Sequence, residues 1–160
     1  RAPMFNPIGW LKVERAHAHC DIPCGIYDPV SAKIAAQTVQ KMVLRIQALE
    51  APTAGSDASF RHNFINTMSR YSAVKEEHAE IVKKELRILW ADYGWPNLPA
   101  GFDLHGSFNA ALKLAGRCKQ NVDMAACEEL VAAVDSIATA FWATKNETYS
   151  DSHAAARYGS

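Results

Sequence analysis

Apolar side chains recur at every third or fourth position in four stretches of this 160-residue chain, and no stretch alternates as a β-strand would. Each stretch begins close to an aspartate, which favours helix starts because its carboxylate accepts hydrogen bonds from free backbone N–H groups. Prolines, glycines and small polar residues separate the stretches. The pattern predicts an all-α protein, an antiparallel four-helix bundle with short connections.

The same signals set the expected helix boundaries. Asp28 and Pro29 start the first helix, because proline is favoured at the first helical position, and its pattern ends near Glu50. The other three helices are expected from Asp57 or Ser59 to about Tyr93 with a break near Ser72, from Asp103 to about Lys119, and from Asp123 to about Thr144.

The apolar stripes of the second and fourth helices predict which of their side chains are buried. The stripe of the second helix comprises Phe60, Phe64, Met68, Tyr71, Val74, His78, Ile81, Leu86, Leu89 and Tyr93. The stripe of the fourth helix comprises Leu130, Val134, Ile137 and Phe141, with Trp142 at its edge.

The length and the charge balance of the chain limit the classes of function that it can have. A chain of 160 residues suits one domain with a sizeable core. Lysine plus arginine and aspartate plus glutamate balance at 17 each, so the chain as a whole offers no electrostatic case for nucleic acid or an anionic membrane surface. No apolar run approaches the ~20 residues that a transmembrane helix needs.

The segment HCDIPCGIYDP, residues 19–29, concentrates the chemically distinctive side chains. Cys20 and Cys24, with His19 directly before them, bring two thiolates and an imidazole within reach of one ion. Mixed nitrogen and sulfur donors suit Ni(II) or Cu(II). Pro23 fixes its own φ and favours a tight turn between the cysteines. The residues predict a small metal-binding hook, and a free or disulfide-linked cysteine pair is the alternative.

The segment HCDIPCGIYDP closely resembles the nickel hook of nickel-containing superoxide dismutases. The resemblance extends from about Val13 to Asn146 and includes KEE at 75–77, LWADY at 89–93 and AFWATK at 140–145. It implies a four-helix bundle that assembles into a homohexamer, nickel as the cofactor and superoxide as the substrate. It also implies a cytoplasmic location, and a start at Arg1 leaves an organellar, plastid location open.

By this resemblance the metal is held by the terminal amine and imidazole of His19, the amide nitrogen and thiolate of Cys20, and the thiolate of Cys24. An amine ligand exists only where His19 is the first residue. Residues 1–18 precede it here, and they are expected to be a leader. Residues 16–18, Ala-His-Ala, have the small-x-small pattern of a cleavage site.

The resemblance places Asp21 and Tyr27 beside the substrate position and Tyr93 in the layer around it. A turn cap for Asp21 and half-buried core positions for the tyrosines are the alternatives. Family members usually hold the hook histidine with a glutamate on helix one and an arginine on helix two. The matching positions here are Ala35 and His78, so both partners have changed.

Two functions follow from these features. The first is a nickel superoxide dismutase that becomes active once the chain is cleaved before His19. The alternative is a dismutase-derived, catalytically weak or inactive structural subunit of a larger protein complex, docked through its leader and its C-terminal tail. The complete hook favours the first, and the leader with the changed partners favours the second.

Cys118 and Cys127 lie nine positions apart, across a predicted helix–helix turn. They can form a disulfide in an oxidising compartment or sit as small buried apolar side chains. The expected layout of the chain is a leader over 1–18, the hook over 19–28, the bundle over 29–145, and an extended or disordered tail over 146–160.

Overall fold

The computed structural model describes residues 25–158. Four long helices form an antiparallel bundle in which α1 packs on α2 and α4, and α3 packs on α2 and α4. The predicted four-helix bundle is therefore confirmed in the described part of the chain. The helices are α1 (Val30–Gln47), α2 (Ala58–Asp92), α3 (Leu104–Gln120), α4 (Met124–Ala143) and the short α5 (Ala154–Tyr158).

Aspartate side chains start the long helices, as the sequence predicts. The carboxylates of Asp57, Asp103 and Asp123 accept hydrogen bonds from backbone N–H groups three residues on, at 2.7, 2.9 and 3.0 Å. At α1, Asp28 accepts from the N–H of Val30 at 2.8 Å, and Pro29 already has helical dihedral angles. These bonds satisfy N–H groups that have no partner within their own helix.

The second helix departs from two expectations. It runs unbroken through Ser72 for 35 residues, about 50 Å, because it contains neither proline nor glycine. Its predicted buried stripe is wrong over the first half, where no side chain before Lys75 is buried and Phe60 is 39% exposed. The physical reason is that α3, with 17 residues, is too short to cover it.

The core fills the space between the second half of α2 and the other three helices. The predicted stripe of α4 is confirmed, since Leu130, Val134, Ile137 and Phe141 are fully enclosed. Alanines on α1, α3 and α4 are also buried, and they let the helix backbones approach closely. No helix in the described part of the chain is long and apolar enough to cross a membrane.

The tail over 146–160 is expected to be extended or disordered, and the structure corrects this for residues 154–158, which form a helix. It ends in α5 and docks back on the bundle. Gln37 on α1 donates to the carbonyl of Ala154 at 3.2 Å and accepts from Arg157 at 2.9 Å. The hydroxyl of Tyr149 donates to Asp135 on α4 at 3.0 Å. The tail has no apolar face of its own and is held by polar side chains. Apolar periodicity therefore did not predict that it docks on the bundle.

Candidate metal centre

The chain enters the described structure at Gly25, at the end of the bundle where α1 begins and α2 and α4 end. Gly25 has a φ of +90°, a left-handed conformation that side chains other than glycine rarely adopt. The predicted ligands His19, Cys20 and Cys24, and Asp21 between them, lie outside the described residues. Their roles stay predictions.

Tyr27 follows Cys24 by three residues and contacts the end of α2. Its ring meets the ring of Tyr93 edge-on, with centroids 5.6 Å apart and an interplanar angle of 64°. Its hydroxyl points to the carbonyl oxygen of Asp92 at 3.5 Å. The structure thus brings together the two tyrosines that the sequence singled out, in a geometry that aromatic pairs prefer.

A chain of hydrogen bonds holds the Tyr93 hydroxyl. Tyr93 Oη lies 2.6 Å from Thr144 Oγ1, and Thr144 Oγ1 donates to the carbonyl oxygen of Phe141 at 2.6 Å. Because a threonine hydroxyl has a single proton, the proton between the two side chains must come from Tyr93. The Tyr93 hydroxyl therefore donates to Thr144, and its oxygen can still accept a hydrogen bond.

Aromatic side chains fix the ring of Tyr93 on its other sides. The rings of Phe141 and Trp95 lie 4.6 and 5.2 Å from it, centroid to centroid. Gly94 and Trp95, with φ values of +75° and +46°, fold the chain back after α2 ends. The indole N–H of Trp95 donates to the carbonyl of Leu89 at 3.1 Å, which anchors this turn. These contacts hold the ring of Tyr93 in place at the end of α2.

Lys145 adds a positive charge to this end of the bundle. Its Nζ lies 5.5 Å from the centroid of the Tyr93 ring and 5.1 Å from that of Phe141, within cation–π range. Sequence reasoning did not single out Lys145 or Thr144 as site residues. The segment AFWATK contains both, but only the fold shows that they face Tyr93.

The two positions matched to the family's histidine-holding pair lie on α1 and α2. Ala35 is 1% exposed and belongs to the core. His78 is half-buried, and its Nδ1 lies 2.9 Å from the carbonyl oxygen of Val74. Since a carbonyl can only accept, Nδ1 carries the proton. A neutral ring in this tautomer offers a lone pair at Nε2, whereas an arginine would offer N–H donors.

Residues 25–158 contain no group of three or more histidine, cysteine or acidic side chains arranged to hold a metal ion. Cys118 and Cys127 are buried free thiols at the other end of the bundle, where α3 ends and α4 begins. The Nδ1 of His105 accepts a hydrogen bond from the indole N–H of Trp90 at 3.0 Å, so this nitrogen is already engaged.

Fold and site together define a helical bundle whose cysteine-containing N-terminal segment leads onto a preorganised tyrosine pair. Comparison with known proteins agrees with this class. The family model described as nickel-containing superoxide dismutase matches residues 14–145. The chain belongs to the nickel-containing superoxide dismutase family.

Relatives and solved structures support the same assignment. The chain is 33% identical over 132 residues to the nickel superoxide dismutase of Streptomyces seoulensis, covering 82% of this chain and 91% of the relative. It is 33% identical over 129 residues to that of Streptomyces coelicolor, covering 80% and 88%.

Two crystal structures of nickel superoxide dismutase superpose on the bundle. One has its nickel ligation in the oxidised state and gives a TM-score of 0.66 at 30% identity, over 80% of this chain and 99% of that chain. The native enzyme at 1.30 Å gives 0.63 at 30% identity over the same shares.

Nickel is the cofactor of this family, and the donor set of the hook suits it. Two thiolates with nitrogen donors favour Ni(II) over metals that prefer hard oxygen ligands, such as Mg²⁺.

Proposed function

We propose that this protein is a superoxide dismutase that converts superoxide to oxygen and hydrogen peroxide when His19 is its first residue. Nickel would be held by His19, Cys20 and Cys24 and would supply the one-electron oxidation and reduction that dismutation requires. The observation that carries the proposal is the complete hook sequence HCDIPCGIYDP, which leads onto the Tyr27–Tyr93 pair at the end of the bundle.

Residues of the protein would position the hook and form hydrogen bonds around it. Tyr27 ties the exit of the hook to α2 through its ring contact with Tyr93 at 5.6 Å. Because the Tyr93 hydroxyl donates to Thr144, its oxygen can accept a hydrogen bond from a group of the hook or from water. Asp21 would lie in the turn between the two cysteines, beside the substrate.

Superoxide is an anion, and Lys145 offers a cation near the tyrosine pair. Its Nζ is 5.5 Å from the Tyr93 ring and the residue is exposed to solvent. A fixed positive charge beside a site raises the encounter rate of an anionic substrate, in a manner that salt weakens. We assign Lys145 the role of attracting superoxide to this end of the bundle.

Cleavage before His19 is part of the proposal. With residues 1–18 attached, the nitrogen of His19 is an amide that must lose a proton to bind metal well, and the extra chain must pass out of the hook. A chain that starts at His19 offers an amine instead. The full chain is therefore expected to be inactive as a dismutase.

Metal analysis and dismutase assays test the assignment. Protein that starts at His19 should bind one nickel ion per chain and be active, and Cys20→Ser or Cys24→Ser should abolish both, because both sulfurs are needed for a closed site. Cys118→Ala is the matched control, since it removes a thiol at the far end of the bundle. Nickel retained at the wild-type level in either hook variant would refute the assignment.

The alternative function is a structural subunit with little or no activity. Ala35 and His78 favour it, because they replace the pair that the family uses to hold the hook histidine. Residues around a metal ligand typically contribute ~10–100-fold in metal affinity or activity. Full nickel occupancy without activity in protein that starts at His19, together with capture of the uncut chain in a larger complex, would support this alternative over the dismutase.

We also propose that the chain assembles with copies of itself, as a homohexamer. The supporting observation is the apolar surface that α1 and the first half of α2 leave uncovered. Leu44, Phe60 and Ile65 are 41%, 39% and 60% exposed there. Ile65→Lys should weaken such an assembly, and light scattering of wild type and variant measures it. A monomeric wild type would overturn the proposal.

A further inference from the structure

Cys118 and Cys127 face each other between two helices. Cys118 lies in the last turn of α3, Cys127 in the first turn of α4, and both are 0% exposed. The two thiol side chains interact closely enough that each shifts the pKa of the other. Both belong to the buried core where α3 packs on α4, so a bond between the two sulfurs would join the two helix ends.

A buried ammonium group lies beside this pair. Lys75 on α2 is 3% exposed, and its Nζ donates to the backbone carbonyls of Cys118 at 2.7 Å, Lys119 at 2.6 Å and Asn121 at 3.3 Å. These carbonyls end α3 and have no partner within the helix. Among residues 25–158 no carboxylate lies within ion-pair distance of Nζ. The charge is therefore available to stabilise an anion nearby.

The two thiols differ in acidity. Its side-chain interaction with Cys127 lowers the pKa of Cys118, and the charges of Lys75 and Arg117 lower it further. The same interaction raises the pKa of Cys127, and burial raises it further. Cys118 is thus the thiol that ionises first, and the thiolate is the form that reacts with an oxidant.

We propose that Cys118 and Cys127 form a peroxide-sensitive dithiol, which closes into a disulfide between α3 and α4. The thiolate of Cys118 attacks one oxygen of hydrogen peroxide, the O–O bond breaks, and a sulfenic acid and water form once a proton is taken up. The thiol of Cys127 then attacks the sulfenic sulfur and expels a second water. Overall, two thiols are oxidised to one disulfide while one peroxide is reduced to two waters.

Because Cys118 and Cys127 are buried, the size of an oxidant decides whether it can reach them. Both sulfurs are inaccessible to solvent in the closed structure, so the oxidant must be small and must enter as the helix ends open locally. The connection beside them contains Val122, which is 47% exposed. Hydrogen peroxide is small enough for this route, whereas bulky disulfides and aromatic thiol reagents are excluded. The inference holds whatever the source of the peroxide, and so does not depend on dismutase activity.

Peptide mapping of the full chain tests the proposal. Trypsin cleaves after Arg117 and Lys119, so the two cysteines fall on separate peptides, 118–119 and 120–145, while Cys20 and Cys24 remain together on another. After treatment with hydrogen peroxide and alkylation under denaturing conditions, mass spectrometry should find the two peptides linked. Addition of dithiothreitol should separate them. The hook cysteines serve as an internal comparison on their own peptide.

Three further measurements sharpen the test. Cys118→Ala and Cys127→Ala should each abolish the linked species, and Lys75→Gln should slow its formation several-fold. An aromatic disulfide reagent should leave both thiols of the native protein unmodified while peroxide links them. Recovery of the peptides only as separate thiols or as sulfinic acids would overturn the proposal. Equal linking rates in Lys75→Gln and wild type would overturn the role of the ammonium group.

Discussion

Replacing Thr144 with valine removes one hydroxyl and leaves the shape of the side chain nearly unchanged. Thr144 is 4% exposed, and its hydroxyl accepts from Tyr93 and donates to Phe141, each at 2.6 Å. The carbonyl of Phe141 keeps a partner, because it also accepts from the backbone N–H of residue 144 at 3.1 Å. The group that loses its partner is therefore the hydroxyl of Tyr93.

A buried donor left unpaired costs ~1–3 kcal/mol of stability. Tyr93 is half-buried, so water can reach its hydroxyl in part, and we expect Thr144→Val to lower the free energy of unfolding by about 1–2 kcal/mol. Tyr93→Phe should cost about 1 kcal/mol, and the double variant less than the sum, because only one shared bond is lost. Urea unfolding of the four proteins measures this cycle.

Thr139→Val is the matched control on the same helix. Its hydroxyl donates to the carbonyl of Asp135 at 2.8 Å in an exposed position, so water replaces the lost partner. We expect that variant to stay within ~0.5 kcal/mol of wild type. Equal losses for Thr144→Val and Thr139→Val, or additive losses for Thr144→Val and Tyr93→Phe, would refute the hydrogen-bond chain as described.

Three further predictions concern the charges of Lys145 and Asp123 and the two positions, Ala35 and His78, that differ from the family's usual pair. Lys145→Gln should lower kcat/KM for superoxide in protein that starts at His19, most at low salt, and a salt dependence equal to that of wild type would contradict the assignment of Lys145. The N–H of residue 126 and a neighbouring arginine lower the pKa of Asp123, so its folded pKa lies below its unfolded value. Its contribution to stability is therefore present above the unfolded carboxyl pKa of about 4 and is lost as pH falls through the folded pKa, and Asp123→Asn should flatten the acid limb of a stability–pH profile. Ala35→Glu with His78→Arg should raise activity by up to ~10–100-fold if the orientation of the hook histidine limits it, and equal rates would show that this residue is held in another way.

Much of the fold could be predicted because its signals are local. An aspartate before an apolar periodic segment starts a helix through bonds to N–H groups within three residues, and the structure has those bonds at Asp57, Asp103 and Asp123. Proline and glycine between the segments end helices for reasons of backbone geometry alone. Family membership was likewise readable from one short segment, because its spacing of cysteines, histidine and proline is rarely met otherwise.

The stripe of α2 shows where local reasoning fails. Phe60 and Leu86 look alike in the periodic pattern, yet Phe60 is 39% exposed and Leu86 is enclosed. Periodicity says which face of a helix is apolar, and the length of the neighbouring helices decides how much of that face is covered. The docked tail was missed for a related reason, since Arg157 finds Gln37 across 120 positions in sequence.

By itself, the sequence determined the four long helices, their starts and the composition of the hook, since each depends on residues a few positions apart. Only the tertiary structure decided that the Tyr93 hydroxyl donates to Thr144, that Lys145 lies over the same ring, and that Lys75 lies against the end of α3 beside two thiols. These contacts join residues between 43 and 52 positions apart. Their existence depends on how deeply each helix overlaps its neighbour, a quantity set by the packing of the whole bundle and by no single segment.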